Sequence, residues 1–239
     1  MTDKQWKYAV SEVTTIYNTF EEDVELYARH GVPGIGVWGF KVESVGMDRA
    51  RELLKKHNLG VANCIPNLNS IMPYVLSPEP ADPMKRVEAF LPNMEAMAKL
   101  NPGTIVVITG PLGDRDPQEA RDLCLKGFER IGKAASDLGV TVALEPIHSS
   151  VKDVFTLIWD IPGTIQMLRE LNQPNFKILF DTWHLWDTED VFAHIREHAD
   201  LIAGVHIADW RTGETRTWAD RAFPGEGKAR ILEFSQAML

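Results

Sequence analysis

The chain has 239 residues, of which 44% are hydrophobic and 25% are charged, a balance that predicts one globular domain over residues 1–239. Its 25 Lys and Arg residues against 34 Asp and Glu give a formal charge of -9, which repels polyanions and argues against nucleic acid as a partner. No apolar run approaches the roughly 20 residues of a membrane span, and two cysteines with no apolar leader predict a reducing, cytoplasmic location.

Short β-rich segments alternate with longer helical patterns, which predicts βα units around a parallel sheet. We predict strands at residues 12–17, 34–38, 61–65, 104–109, 140–145, 177–181 and 202–207. We predict helices at residues 20–30, 47–58, 83–99, 117–138, 162–172 and 189–198, with the beginning of a seventh outer helix in ARILEFSQAML.

Proline and glycine mark the predicted helix ends. Proline at the first helical turn is expected in Asp82-Pro83, Asp116-Pro117 and Ile161-Pro162. Glycine is expected just past the helix end at Gly31, Gly60 and Gly139. Seven units fit an α/β fold of the TIM-type (β/α)8 barrel, which takes on the order of 250 residues, better than an open sheet. The eighth strand is absent from the sequence, so either the sequence is truncated or the barrel is open.

Polar side chains lie at the ends of three consecutive predicted strands. VALEP ends on Glu145, ILFDTWH contains Asp181, and GVHIADWR contains His206. Side chains alternate along a strand, so these three are expected to point inward together at the carboxyl ends, where TIM barrels carry their active sites. One imidazole and two carboxylates form a mixed N/O site that suits Mn²⁺, Mg²⁺, Co²⁺ or Zn²⁺. Each residue alone is more often structural, so the prediction depends on the three together.

The stretches ALEPIH, FDTWHLW and VHIADWR resemble the metal-site strands of the xylose-isomerase-like TIM-barrel family. That family includes sugar isomerases and epimerases, cyclitol dehydratases and relatives of endonuclease IV. The resemblance extends from EVTTIY to PGEG at 224–227. It implies that Glu145, Asp181 and His206 bind a divalent metal, with Mn²⁺ as the first choice, and that His184 lies near the substrate.

The resemblance also implies features that this sequence lacks. The family's fourth ligand is a Glu on the eighth strand, and the nearest candidates, Glu226 and Glu233, belong to the loop and helix before that strand. Ketohexose epimerases of the family have a second Glu shortly after the Glu145 position and an Arg six residues after the His206 position. Val151 and Thr212 stand six residues on here, so Arg211 or Arg216 would have to replace that Arg.

These residues predict a metal-dependent isomerase or epimerase of a small sugar or polyol, acting by proton abstraction next to a metal-bound carbonyl, with Glu145 as the base. One alternative is a dehydratase or lyase of a keto-sugar or cyclitol, with His148 or His184 as the acid. Another is a non-catalytic polyol-binding barrel or one subunit of a heteromeric enzyme. A homo-oligomer is expected.

The remaining candidates each have a structural alternative. Aromatic and amide side chains at strand ends could contact sugar rings and hydroxyls, or could be core and turn residues. Asp209 and Arg211 complete the predicted substrate contacts, Cys64 is predicted to be a buried hydrophobe, and Arg221 either contacts an anionic group or is exposed on the surface. The aromatic and amide candidates are Trp38, Trp183, Trp186, Trp210, Asn18, Asn63 and Asn67.

Overall fold

The structure is a computed structural model that describes residues 7–211 and 220–238. Strands and helices alternate along most of this length. In chain order the elements are β1 (Val10–Ser11), α1 (Phe20–Arg29), β2 (Gly34–Trp38), α2 (Gly39–Val45), α3 (Met47–His57), β3 (Gly60–Ile65), α4 (Pro83–Ala98), β4 (Thr104–Val107), α5 (Pro117–Leu138), β5 (Val142–Leu144), α6 (Lys152–Phe155), α7 (Ile161–Leu171), β6 (Phe176–Asp181), α8 (Thr182–Leu185), α9 (Val191–Glu197), β7 (Ile202–His206), β8 (Asp209–Trp210), β9 (Arg221–Ala222) and α10 (Ile231–Ala237).

Seven parallel strands form one sheet in sequence order, from β1 to β7. Within the described residues β7 does not pair with β1, and the sheet is a half-barrel with seven strands. The last pair aligns Asp181 with His206. β8 and β9 form a separate antiparallel pair, in which Trp210 lies opposite Arg221. The predicted TIM-type α/β architecture is confirmed.

The first predicted strand, residues 12–17, is wrong. β1 is only Val10–Ser11, and the chain then turns, with the N–H groups of Thr14 and Asn18 bonded to carbonyls three residues back. Val13, Ile16 and Tyr17 of this stretch are exposed, and Tyr17 is 99% exposed. Without a buried face to pack, their strand propensity does not decide the conformation.

Most other predicted elements are confirmed to within a few residues, and the predicted proline and glycine signals account for several of their ends. Asp82 and Asp116 cap α4 and α5, and each helix then begins with proline. Asp160 caps α7 and accepts from the N–H of Gly163 at 2.7 Å, which puts Pro162 at the second helical position. The expected closing role of Gly60 is wrong, because α3 ends at the left-handed Asn58 and Gly60 begins β3. The short helices α2, α6 and α8 were not predicted.

The two faces of the sheet pack against different groups of side chains. Residues such as Val107, Leu144 and Phe180 belong to the large core shared with the outer helices. A separate small cluster inside the barrel contains Ile65, Val106, Ala143 and Leu179. A Cβ added to Gly204 would lie 2.9 Å from Cδ1 of Leu179, so β7 also turns this position inward. Glu145, Asp181 and His206 each lie two residues beyond an inward position, which predicts that they face the barrel interior.

No helix in the described part of the chain is both long and apolar enough to cross a lipid bilayer.

Candidate metal centre

Three side chains converge at the carboxyl ends of β5, β6 and β7. Glu145, Asp181 and His206 each offer one ligand atom, and these atoms all lie within 4.8 Å of one another. Nδ1 of His206 is 3.5 Å from Oε1 of Glu145 and 3.9 Å from Oδ2 of Asp181. Two atoms that each bind one cation at about 2.0–2.2 Å can lie up to roughly 4.4 Å apart, so the separations of 3.5 and 3.9 Å fit a shared ion. The donor set therefore fits a divalent metal.

The charges of the site favour ionised carboxylates. Burial alone would raise the pKa of Asp181, but Arg221, His184 and His206 outweigh it and lower the pKa to about 2. Burial would lower the pKa of His206, but the hydrogen bond and charge of Glu145, together with Asp181, raise it above its ordinary value. Asp181 is thus ready to bind a cation at neutral pH, whereas His206 must first release a proton.

Arg221 reaches the site from the β8–β9 pair. Its Nη2 donates to Oδ2 of Asp181 at 3.1 Å and lies 3.4 Å from Nε2 of His184. The guanidinium carbon is 4.6 Å from the ring centroid of Trp183, a cation–π geometry. The exposed surface position that the sequence allowed for Arg221 is wrong, because its side chain is only 28% exposed and faces the carboxylate cluster.

His184 lies next to this cluster, and a backbone hydrogen bond to its Nδ1 fixes the ring. It is 3% exposed, and its Nδ1 accepts a hydrogen bond from the backbone N–H of His148 at 3.2 Å. Nδ1 is therefore an acceptor, and the proton of the neutral ring belongs on Nε2. The imidazole of His148 has other contacts, with Nδ1 2.8 Å from Oγ of Ser150 and Nε2 3.5 Å from Oδ2 of Asp187. Both histidines also line a cavity of about 510 Å³, but Glu145, Asp181 and His206 are not among its lining residues.

Two more predicted residues lie inside the barrel. Asn63 is 7% exposed, and its amide nitrogen is 2.7 Å from Nε2 of His206. Trp38 packs against the interior cluster, and its Nε1 donates to Oγ of Ser11 at 3.2 Å. Trp38 can therefore form one apolar wall above the cluster.

Other predicted substrate contacts have different partners. The amide of Asn18 donates to Asp23, and Trp183 is buried beneath Arg221. The carboxylate of Asp209 is fully buried and accepts from the backbone N–H groups of Trp210, Gly225 and Ala229. Asp209 therefore holds the segment after β9 against β8 instead of facing the cluster.

The remaining candidates have other partners, are exposed, or lie outside the described residues. Trp186 stacks on Trp210 with ring centroids 4.9 Å apart. Asn67, Arg211 and Glu226 are exposed, and Glu233 pairs with Arg230 on the surface. Thr212 and Arg216 lie outside the described residues.

Cys64 is a free, buried thiol, in agreement with its predicted packing role. Burial raises the pKa of this thiol, which opposes the thiolate form that a nucleophile needs.

A sequence profile described as Xylose isomerase-like TIM barrel matches residues 24–238. The chain belongs to the xylose isomerase-like TIM barrel family. A relative named Ketose 3-epimerase, from Arthrobacter globiformis, is 33% identical over 85 residues, which cover 35% of this chain and 28% of that protein. The family thus contains epimerases, and the shared segment is about a third of this chain.

Solved structures of similar fold cover nearly the whole chain. Protein SMc04130 from Sinorhizobium meliloti 1021 superposes with a TM-score of 0.88 at 20% identity, over 97% of this chain and 84% of that one. The IolI protein with a bound zinc atom gives a TM-score of 0.81 at 17% identity, over 98% of this chain and 84% of that one. Identities this low show the shared fold of the xylose isomerase-like family and nothing finer.

The sequence allowed contact with an anionic group as one of two alternatives for Arg221, but it did not predict the contact of Arg221 with Asp181 or that of Asn63 with His206. Fourteen residues separate His206 from Arg221, and only the β8–β9 pairing brings them to one site. Ten residues separate β8 from β9 in the sequence, more than the roughly 2–5 residues of common hairpin loops, so no short turn motif indicates this pairing.

Proposed function

We propose that this member of the xylose isomerase-like family is a divalent-metal-dependent isomerase or epimerase of a small hydroxy-ketone sugar or polyol. The observation that carries the proposal is the convergence of Glu145, Asp181 and His206 within 4.8 Å at the carboxyl ends of adjacent strands. The partial relationship to a ketose 3-epimerase favours this reaction class. The zinc atom of the similarly folded IolI protein is compatible with a metal at such a site.

Different residues of the chain act as the base and as hydrogen-bond donors to the substrate. A bound divalent cation supplies Lewis-acid polarisation of a carbonyl, which makes the neighbouring C–H more acidic. The Glu145 carboxylate, 12% exposed, is the base that takes this proton, and return of a proton to the neighbouring carbon gives the isomer, whereas return to the opposite face of the same carbon gives the epimer. Arg221 and Nε2–H of His184 donate hydrogen bonds to substrate oxygens and so fix which carbon faces Glu145.

A dehydratase or lyase is the second candidate, and the geometry of His184 favours it. The backbone N–H of His148 keeps the ring proton of neutral His184 on Nε2, the nitrogen nearest Arg221. This Nε2–H can donate a hydrogen bond to a leaving hydroxyl or alkoxy oxygen, and the carboxylic acid of Glu145, which has taken the C–H proton, gives that proton to the leaving oxygen. The two reactions share their first step and differ in whether water is lost.

The first experiment is elemental analysis of metal in the purified protein and in His206→Ala. We expect near-stoichiometric Mn, Co, Mg or Zn in the wild type and little in the variant. His30→Ala, which changes an exposed histidine at the end of α1, is the matched control and should keep the metal. A metal content that is unchanged in His206→Ala would sink the proposed centre.

The second experiment is incubation with ketohexoses and keto-cyclitols in D₂O, followed by NMR. Deuterium at carbon without loss of water supports an isomerase or epimerase, and an unsaturated product supports the dehydratase. If the protein binds metal but gives neither deuterium incorporation nor an unsaturated product, both enzyme proposals lose support. The non-catalytic barrel, or a barrel whose site a partner completes, is then favoured.

A further inference from the structure

We infer that Asn63 is a positioning residue for His206: its Oδ1 accepts the Nε2 proton of the imidazole and so leaves Nδ1 as the metal-binding atom. This inference rests on the proposed function, because it concerns the same metal centre. It assigns a role that differs from the hydroxyl-binding role predicted for Asn63.

The imidazole of His206 bridges two kinds of side chain. On one side, Nε2 is 2.7 Å from the amide of Asn63, which comes from β3 across the barrel interior. On the other side, Nδ1 faces Glu145 at 3.5 Å and Asp181 at 3.9 Å. Nδ1 is therefore the nitrogen that shares the cluster with the two carboxylates.

The orientation of the amide decides where the ring proton lies. In the structure Nδ2 of Asn63 faces Nε2, and with this donor Nε2 must be the acceptor, so a neutral ring carries its proton on Nδ1. Nδ1 could not then bind a cation. A half-turn of the amide, which changes its shape very little, puts Oδ1 against Nε2–H and frees the lone pair of Nδ1.

No hydrogen bond at the other end of the amide fixes its present orientation. Oδ1 of Asn63 is buried without a hydrogen-bond partner among the described residues. It faces Gly36, where an added Cβ would lie 3.1 Å from this oxygen and 3.3 Å from Cα of Ser11. A half-turn of the amide therefore breaks no hydrogen bond of Oδ1. Gly36 leaves the space that the amide occupies.

Metal-binding histidines commonly donate their second ring N–H to an acceptor that fixes the tautomer, and loss of that acceptor weakens metal binding about 10- to 100-fold. Asn63 is 7% exposed and contacts Nε2 directly, so it can fill this role without touching the cation. An aspartate at the same position would keep the acceptor, whereas a leucine of similar size would remove it.

The test measures Zn²⁺ and Mn²⁺ affinity by calorimetry for the wild type, Asn63→Leu and Asn63→Asp. We expect Asn63→Leu to bind about 10- to 100-fold more weakly and Asn63→Asp to stay within a few-fold of the wild type. Circular dichroism and thermal melting establish that each variant is folded. Wild-type affinity in folded Asn63→Leu overturns the inference.

A spectroscopic measurement on the unmodified protein keeps the inference falsifiable if Asn63→Leu does not fold. In ¹⁵N-histidine-labelled protein loaded with Zn²⁺, His206 should show a protonated Nε2 and an unprotonated Nδ1. A protonated Nδ1 and an unprotonated Nε2 in the Zn²⁺-loaded protein would overturn the role of Asn63 without contradicting the proposed metal centre. If the wild type binds no metal, the proposed centre fails and the inference fails with it.

Discussion

The guanidinium of Arg221 donates a 3.1 Å hydrogen bond to Oδ2 of Asp181, the same oxygen that faces His206 at 3.9 Å. One carboxylate thus links a proposed metal ligand set to a proposed substrate-binding cation. The two functions can be separated by substitution, because Arg221 offers no lone pair to a metal.

Arg221→Gln should retain metal and lose turnover. Charged hydrogen bonds contribute about 1.5–3 kcal/mol, which corresponds to roughly 10- to 100-fold in kcat/KM. Elemental analysis and steady-state kinetics on the established substrate measure the two effects. Arg230→Gln, which removes an exposed arginine paired with Glu233, is the control and should change neither. Wild-type kcat/KM in Arg221→Gln would exclude a substrate contact.

Metal affinity should fall as the solution is acidified through the pKa of His206. Glu145 and Asp181 raise that pKa above its ordinary value, so the ring holds a proton that a cation must displace. Asp181, with a pKa lowered to about 2, stays ionised throughout this range. Calorimetry in buffers of different ionisation enthalpy should detect the released proton near neutrality. An affinity that does not change between about pH 8 and pH 5.5 contradicts this account.

Glu12→Gln should stabilise the protein at high pH more than at low pH. Glu12 is fully buried, and burial raises its pKa from 4.5 to about 7, against the opposing hydrogen bond from the N–H of Trp38 and the charge of Lys41. The folded state therefore holds this proton more tightly than the unfolded state. The resulting stabilisation is fully present below the unfolded pKa of 4.5 and is lost as the pH rises through about 7.

The size of this loss is at most roughly 3 kcal/mol, at 1.36 kcal/mol for each pKa unit. Urea unfolding of the wild type and Glu12→Gln across this pH range measures it as a difference that grows with pH. Glu43→Gln, which removes an exposed carboxylate on α2, is the matched control for the loss of a glutamate. If the difference in unfolding free energy between the wild type and Glu12→Gln does not change with pH, Glu12 is ionised in the folded protein.

The buried pair of Lys41 and Asp23 should be far more important for stability than an exposed pair. Nζ of Lys41 donates to Oδ2 of Asp23 at 2.5 Å and to the carbonyl of Thr15 at 2.9 Å, and the two charged side chains are 3% and 0% exposed. Lys41→Met leaves a buried carboxylate without its cation and should cost about 3–5 kcal/mol in the free energy of unfolding.

The matched control is Arg49→Met, which breaks a 2.8 Å pair with Glu21 whose side chains are 51% and 46% exposed. It should cost no more than about 1 kcal/mol. Chemical denaturation of both variants gives the comparison. Equal losses of unfolding free energy in the two variants would mean that burial does not make the Lys41–Asp23 pair more important than the exposed pair.

The sequence predicts those parts of the fold that depend on local pattern. The inward direction of Glu145, Asp181 and His206 follows from strand alternation, and the capping aspartates mark where helices begin. The position of Arg221 requires knowledge of the β8–β9 pairing, and the contact of Asn63 with His206 crosses the barrel between residues 143 positions apart. In residues 12–17 the strand-forming side chains of Val13, Ile16 and Tyr17 are exposed, whereas the fully buried residue is the charged Glu12, so no apolar strand face is covered. The homo-oligomer and the cytoplasmic location stay predictions.

The buried carboxylate of Asp209 has a consequence for how mutations could reach the candidate site. It accepts hydrogen bonds from the backbone N–H groups of Gly225 and Ala229, so it anchors the segment that follows β9 through the main chain and not through side chains. Loss of this carboxylate would release the segment that adjoins Arg221. A change at Asp209 would therefore disturb the site at second hand, without altering any residue that faces the carboxylate cluster.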